Sequence, residues 1–428
     1  MTEAVIPLAS DVPGMAPQGS LDIGSDRYFV IPLSIQQDGA DYMVGNADLE
    51  EFYQFPAEGV RIIELLRSGL DAARVKTILA REYSDDLDVD DFIASLVEIG
   101  FVYPADEVDG FKRRLARQPS DRRLTFACSP AVARALLSPA TLLLYVAVIG
   151  IAGYKMVADP ALRPDWGALA LEHDITLTMI PLLLLYACTV SFHELGHMLA
   201  AARYGVRSKL GIGNRLWAIV AEADLSGIHA LPKRQRYLPL LAGMLTDLFT
   251  ISVTTLVIAG LLAQGGHDYL TQLLKALVLQ IIITLTWQFN IFLRTDVYYV
   301  LCTHLNYPDL DSDARLYLGE LGHRLSGGRF GKAAPSAHYK QRSVLRMFAG
   351  IWLLGRLMAV TMLIFVLIPT LVHYVAQAYR TFRDPTAPFA TVVDQICFLA
   401  ISLTLFGTGM IMWLKRRLMP TRGEEQRI

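Results

Sequence analysis

The densest chemistry in the chain sits in five consecutive residues, His193-Glu194-Leu195-Gly196-His197. On a helix, side chains four apart leave nearly the same face, so both imidazoles can reach one tetrahedral Zn²⁺ at about 2.0–2.1 Å. Glu194 falls one residue round, beside the coordination position that a catalytic zinc site keeps open. There it can accept a proton from water whose pKa the metal lowers toward about 7. The chemistry expected is metal-assisted hydrolysis, with one Zn²⁺ per chain, His193 and His197 as ligands and Glu194 as general base. The motif lies in an apolar stretch, where ionisable side chains are costly and mark function by default. The competing reading is two helix-surface histidines near a lipid boundary.

A catalytic zinc needs a third protein ligand. A later apolar run ends in Asn290-Ile291-Phe292-Leu293-Arg294-Thr295-Asp296-Val297-Tyr298-Tyr299. Asp296 can reach the depth of His193, because apolar sequence continues beyond it to Leu301. A lone buried carboxylate there would be expensive, and a cation would relieve the cost. Two alternatives stay open: an Asp296–Arg294 pair near the interface, and His304, further out in polar sequence, as the third ligand. Asn290 is a candidate for orienting substrate or stabilising an oxyanion.

The elements that must hold these residues are apolar. Of 428 residues 53% are hydrophobic and 19% charged, against about a quarter charged in an ordinary soluble domain. Six runs are long enough to span a bilayer, approximately 136–156, 175–202, 238–262, 270–301, 347–374 and 396–414. Lys and Arg gather between runs two and three, between four and five, and after run six, which predicts a multi-pass protein of the cell membrane with both termini cytoplasmic. Met1 to Ser25 lacks the basic start and apolar core of a signal peptide. The net charge of −2 implies no polyanion, hence no nucleic acid partner. Cys128, Cys188, Cys302 and Cys397 have no paired spacing, which argues against disulfides and thiolate metal sites.

Ahead of the apolar runs, residues 1–24 read as a flexible tail and 25–105 as a small soluble α/β domain. Its expected strands are Phe29–Ile35 (with Pro32 suggesting an edge), Tyr42–Val44, Glu51–Phe55 and Phe101–Tyr103. Three amphipathic helices lie between the last two, closed by Gly69 and Gly100 at the first and third. Residues 1–104 carry roughly three acidic side chains for each basic one. Residues 106–134 form a basic connector expected beside anionic lipid headgroups. The six-run domain occupies 135–416, and a tail 417–428. The expected fold class is an α-helical polytopic membrane protein of about six spans, with an N-terminal small α/β winged-helix-like soluble domain.

Phe192-His193-Glu194-Leu195-Gly196-His197, followed by Ala201 and Gly205, resembles the site-2 protease family of intramembrane zinc metalloproteases. The resemblance implies that His193, His197 and Asp296 bind zinc and that Glu194 is the general base. It is strongest to the peptide zinc metalloprotease branch, on Asn290, Asp296, Tyr298, Tyr299, Pro308 and Leu310, with Ile291 and Val297 standing where that branch has Pro and Gly. Leu241 to Asp247 resembles the family's Ala-Gly-Pro…Asn segment, with Met244 for Pro and Asp247 for Asn, which leaves the role of Asp247 open. The resemblance covers about 175–310.

The 25–105 segment resembles the PqqD-like leader-recognition fold, on Tyr42-Met43-Val44-Gly45-Asn46, Glu51-Phe52-Tyr53, Pro56, Gly59 and Leu96 to Val102. A generic winged-helix packing module is the alternative. The resemblance implies capture of a precursor-peptide leader added as a strand to a sheet edge. The expected function is then an intramembrane zinc endopeptidase that removes the leader of a ribosomally synthesised, modified peptide. Its expected partners are that peptide or protein substrate, the lipid bilayer, and an export transporter or modifying enzymes. Two other classes remain: an export or binding component with a vestigial protease site, and a regulated intramembrane protease acting on a membrane-bound regulator.

Overall fold

The structure is a computed structural model and describes residues 27–418 apart from 48, 50, 84–86, 106–110, 112, 114–123, 127, 165–174, 216–217, 267–268, 308 and 329–340. The 1–24 tail, the 417–428 tail from residue 419 on, Pro308 and much of the 106–134 connector lie outside the described residues. From the N-terminal side the elements are β1 (Tyr28–Val30), β2 (Ser34–Asp38), β3 (Asp41–Asn46), β4 (Glu51–Phe55), α1 (Ala57–Arg67), α2 (Ala72–Glu82), α3 (Val89–Glu98) and β5 (Val102–Pro104). The chain divides into two compact units, one drawn from Met1–Leu33 and Ala57–Arg117, the other from Ser34–Pro56 and Gln118–Ile428. The 25–105 segment thus contributes to both.

In the first unit β1 pairs antiparallel with β5, Phe29 opposite Tyr103. Three short helices pack around a core of Ile63, Leu66, Val75, Leu79, Leu96 and Phe101, all essentially inaccessible to water. Asp71 and Asp88 cap α2 and α3 by accepting the backbone N–H groups of Arg74 and Asp91. Gly69 and Gly100 follow α1 and α3 with φ of +88° and +75°, conformations that favour glycine. Phe29–Ile35 is not one strand as expected. Pro32 has no N–H for a ladder, so β1 ends before it, Ile31 donates to Phe101 O at 3.1 Å, and β2 starts afresh at Ser34.

β2, β3 and β4 form an antiparallel meander within the second unit, Val44 lying opposite both Ile35 and Tyr53. It packs on a 3₁₀ turn at Ser226–Ala230, where the rings of Phe52 and His229 lie 5.7 Å apart. Asp38, at the end of β2, forms a buried ion pair with Arg236 at 2.9 Å. Removing one partner of such a pair strands the other charge and costs about 3–5 kcal/mol.

The rest of the second unit is mainly helical: β6 (Leu124–Phe126), α4 (Pro130–Leu136), α5 (Pro139–Ala158), α6 (Ile175–Arg203), β7 (Ser208–Arg215), β8 (Ala218–Asp224), α7 (Lys233–Ala263), α8 (Tyr269–Trp287), α9 (Asp296–Leu305), α10 (Leu310–Leu325), α11 (Arg342–Met362), α12 (Ile368–Arg383) and α13 (Phe389–Leu418). Among the described residues, six helical segments are long and apolar enough to cross a membrane: α5, α6 from Met179, α7, α8, the continuous Arg342–Arg383 stretch, and α13 to Lys415. Their outward faces carry large apolar side chains such as Leu143, Leu184, Leu354 and Leu403, each more than half exposed. That is the surface expected against lipid chains rather than water.

Two features lie outside the hydropathy reading. The run expected over 270–301 stops at Trp287, breaks at residues 288–295, and restarts as the separate helix α9. The Arg342–Arg383 stretch carries a π-helical turn, Leu363–Leu367, just before Pro369. Proline supplies no N–H, so a widened turn beside it accommodates the missing bond.

Candidate metal centre

His193, Glu194 and His197 lie in the C-terminal half of α6 and are buried. Two glycines let α6 and α7 approach closely there. A Cβ on Gly196 would overlap Thr246 and the Ala242 carbonyl, and one on Gly243 would overlap both imidazoles. The break after α8 brings in the third group. Arg294 adopts a left-handed conformation, φ +55°, uncommon for a residue with a side chain. Its guanidinium binds Asp309 at 2.8 Å and Asp311 at 2.9 Å. Asp311 is 1% exposed and also accepts from Trp352 Nε1 at 2.7 Å and from Arg315. The Arg294–Asp296 pairing held open at the sequence level is therefore not formed. Buried Thr295 donates to Gln288 O at 2.5 Å, and Asp296 opens α9 with its N–H on Gln288 Oε1 at 3.3 Å. A carboxylate is favoured in that first turn by the helix dipole.

The three expected ligands meet. His193 Nε2 and His197 Nε2 are 3.1 Å apart, and Asp296 Oδ2 lies 3.1 Å from the first and 3.2 Å from the second. Ligand atoms about 2.0–2.1 Å from a tetrahedral zinc would be separated by about 3.3–3.4 Å, so the triangle is close to one face of that tetrahedron. The outer ring nitrogens settle the tautomers. His193 Nδ1 lies 2.8 Å from Asp247 Oδ2, and His197 Nδ1 lies 2.7 Å from the Pro239 carbonyl. Each Nδ1 therefore carries a proton, which leaves each Nε2 as the nitrogen able to offer a lone pair to a metal at the centre. Two such nitrogens and a carboxylate oxygen converging at this spacing need a proton or a metal ion among them. The donor set fits Zn²⁺ on both chemistry and distance.

Glu194 stands beside this triangle. Its Oε2 accepts the Ala223 N–H at 2.6 Å, from the edge of β8 that β7 does not use. β6, β7 and β8 form a small antiparallel sheet, and β8 brings its edge to Glu194. The centre opens on a cavity of about 840 Å³, whose walls include Ile212, Ile219 and Val220 of the β7–β8 hairpin, Trp287, and Met358, Met362 and Val366 around the π turn. His193, Glu194, Asp247, Gln288 and Asp296 supply its charged and amide groups.

Asn290 and His304 go elsewhere. Asn290 Nδ2 donates to Trp287 O at 3.0 Å, and the residue is not among those lining the cavity. His304 is exposed near the far end of α9, where its carbonyl accepts from Lys233. Eight residues of helix put it about 12 Å along the axis from Asp296. Two residues join the site that sequence reasoning did not assign to it. Asp247 orients His193, and Gln288 holds the Asp296 backbone. Sequence offered two signals for Asp247, an acidic residue inside an apolar run and its place in the Leu241–Asp247 segment that resembles the family's Ala-Gly-Pro…Asn, and left its role open. Asp247→Asn should lower zinc affinity about 10–100-fold, as loss of a ligand's outer partner typically does, and chelator competition measures it. An unchanged affinity would mean that His193 needs no carboxylate behind it.

No protein-family model matches this chain, and no curated protein or solved structure matches it either.

Proposed function

We propose that the protein is an intramembrane zinc endopeptidase. The observation that carries the reading is the 3.1–3.2 Å triangle of His193, His197 and Asp296 with Glu194 beside it. Zinc held by these three atoms would polarise a scissile carbonyl and acidify water at neutral pH. The remaining steps belong to the chain. The Ala223 N–H occupies Glu194 Oε2, which leaves Oε1 to take the proton from the attacking water and to pass it to the departing amide nitrogen. Buried Asp247 and the Pro239 carbonyl keep both imidazoles in their ligating tautomer. The apolar walls limit water around the reacting bond, where low polarity strengthens each of these interactions.

The substrate proposed is a precursor peptide whose leader is captured by the N-terminal segment and removed at the centre. The motifs at 42–59 and 96–102 support this, and the acidic 1–104 stretch suits a basic leader. The protein is placed in the cell membrane with both termini cytoplasmic, on the Lys and Arg of the 203–236 and 315–346 loops. Detergent-purified, zinc-loaded protein incubated with candidate precursor peptides should release a leader fragment, identified by mass spectrometry. Zinc-replete protein that cleaves neither these peptides nor any apolar peptide library would sink the endopeptidase reading.

A further inference from the structure

The tip of the β2–β3 hairpin touches two of the three helices that shape the metal centre, α7 and the end of α9. Asp38 Oδ2 meets Arg236 Nη1 at 2.9 Å, the two residues being 4% and 2% exposed. Arg236 also donates from Nε to Leu231 O at 2.8 Å and from Nη2 to His229 O at 3.2 Å. Burial and the neighbouring guanidinium hold the His229 imidazole down at about 4, so it is neutral near pH 7 and Arg236 is the cation that meets Asp38.

Arg236 lies one turn before Pro239. Proline cannot donate to the Gln235 carbonyl, so the first turn of α7 lacks one of the helix's own bonds. Its orientation then depends on side-chain anchors. Arg236 is one of them. Lys233 is another, donating to His304 O at 2.9 Å and to Asn306 Oδ1. Asn306 ends α9 in a left-handed conformation, φ +52°. Gly39, the neighbour of Asp38, packs against it so closely that a Cβ would overlap its amide. Just past its anchored first turn, α7 gives the Pro239 carbonyl to His197. Two turns further on it gives Asp247 to His193, and α9 begins at Asp296.

We propose that the Asp38–Gly39 tip is a positioning element of the metal centre, setting the first turn of α7 through Arg236 and the end of α9 through Asn306. The inference rests on the reading of His193, His197 and Asp296 as zinc ligands. A first turn released from Asp38 shifts the Pro239 carbonyl first, because that carbonyl adjoins the weakened turn, and with it the imidazole of His197. Asp247 lies beyond the proline in unbroken helix and moves less. The N-terminal meander thereby gains a mechanical connection to the ligands, although none of its side chains lines the cavity.

The test uses full-length protein loaded with Zn²⁺ or Co²⁺, comparing wild type with Asp38→Asn, Asp38→Ala, Asp38→Glu and Gly39→Ala. Asp38→Asn should lower zinc affinity by up to about 10-fold, the low end of the range for losing a ligand's direct partner, since it acts through Arg236, and should shift the visible Co²⁺ bands that report ligand geometry. Asp38→Glu, which keeps the charge, should restore much of both. Asp90→Asn, which breaks the exposed Lys76–Asp90 pair, should change neither. If Asp38→Ala does not fold, Asp38→Asn and Gly39→Ala supply the same readouts. A lower melting temperature with wild-type zinc affinity and Co²⁺ spectrum would overturn the proposal and reduce the tip to an attachment point. Wild-type protein that takes up neither metal would sink the metal-centre reading itself, a result distinct from the first.

Discussion

Glu194→Gln should keep its zinc and lose turnover by roughly 10²–10⁴-fold, the range for removing a positioned general base. The glutamine carbonyl can still accept the Ala223 N–H that Glu194 Oε2 accepts at 2.6 Å, so the side chain keeps its place. Its NH₂ then stands where the second carboxylate oxygen stood, and it cannot take a proton. The metal should be indifferent, since His193, His197 and Asp296 already supply three ligand atoms. Zinc content and peptide turnover would be measured on one preparation. Wild-type turnover would remove Glu194 from the chemistry. Zinc loss in a folded variant would instead make Glu194 a support of the metal, and the proposed proton path would have to be redrawn.

Ligand removal should have the opposite signature. Purified protein should carry about one zinc per chain, as a centre with three protein ligands requires. His193→Ala, His197→Ala and Asp296→Ala should each lose most of it, read by elemental analysis. Asp296 is the sharpest of the three. The two histidines share one rigid helix, whereas Asp296 reaches them only because the chain breaks after Trp287 and Arg294 is tied to Asp309 and Asp311. Full metal content in Asp296→Ala would mean that the break serves something other than the metal.

The two histidines were legible from sequence because their relation is local: four residues on one helix fix their common face. The apolar helices were legible because bilayer thickness sets their length. Asp296 was named from a second element, but other contacts set by how separate elements meet escaped. Asp247 reaches His193 from another helix, through a close approach that depends on Gly196 and Gly243. Asn290 was named as a candidate for orienting substrate, whereas Gln288 was not named at all. Once α8 stops at Trp287, helical phase no longer tells which of residues 288–295 faces the centre. The β7–β8 hairpin lay hidden in what read as a basic loop, and α10 likewise, although both flank groups the site depends on. Pro32 was read correctly as hostile to a ladder, but it divides two strands instead of marking one edge.

The ion pair between Asp38 and Arg236 joins residues 198 positions apart, which sets a timetable for biogenesis. At roughly 5–20 residues per second, Asp38 leaves the ribosome some 10–40 seconds before Arg236 exists. During that interval the β2–β4 meander lacks the surface it finally packs on, and its edge strands are open to other chains. Helices α1 to α3 belong to the other unit and can fold on their own schedule. A truncated product ending before α7 would therefore hold a finished helical module beside a meander without its counter-ion. Nascent-chain stalling should find that stretch protease-sensitive until α7 has been made.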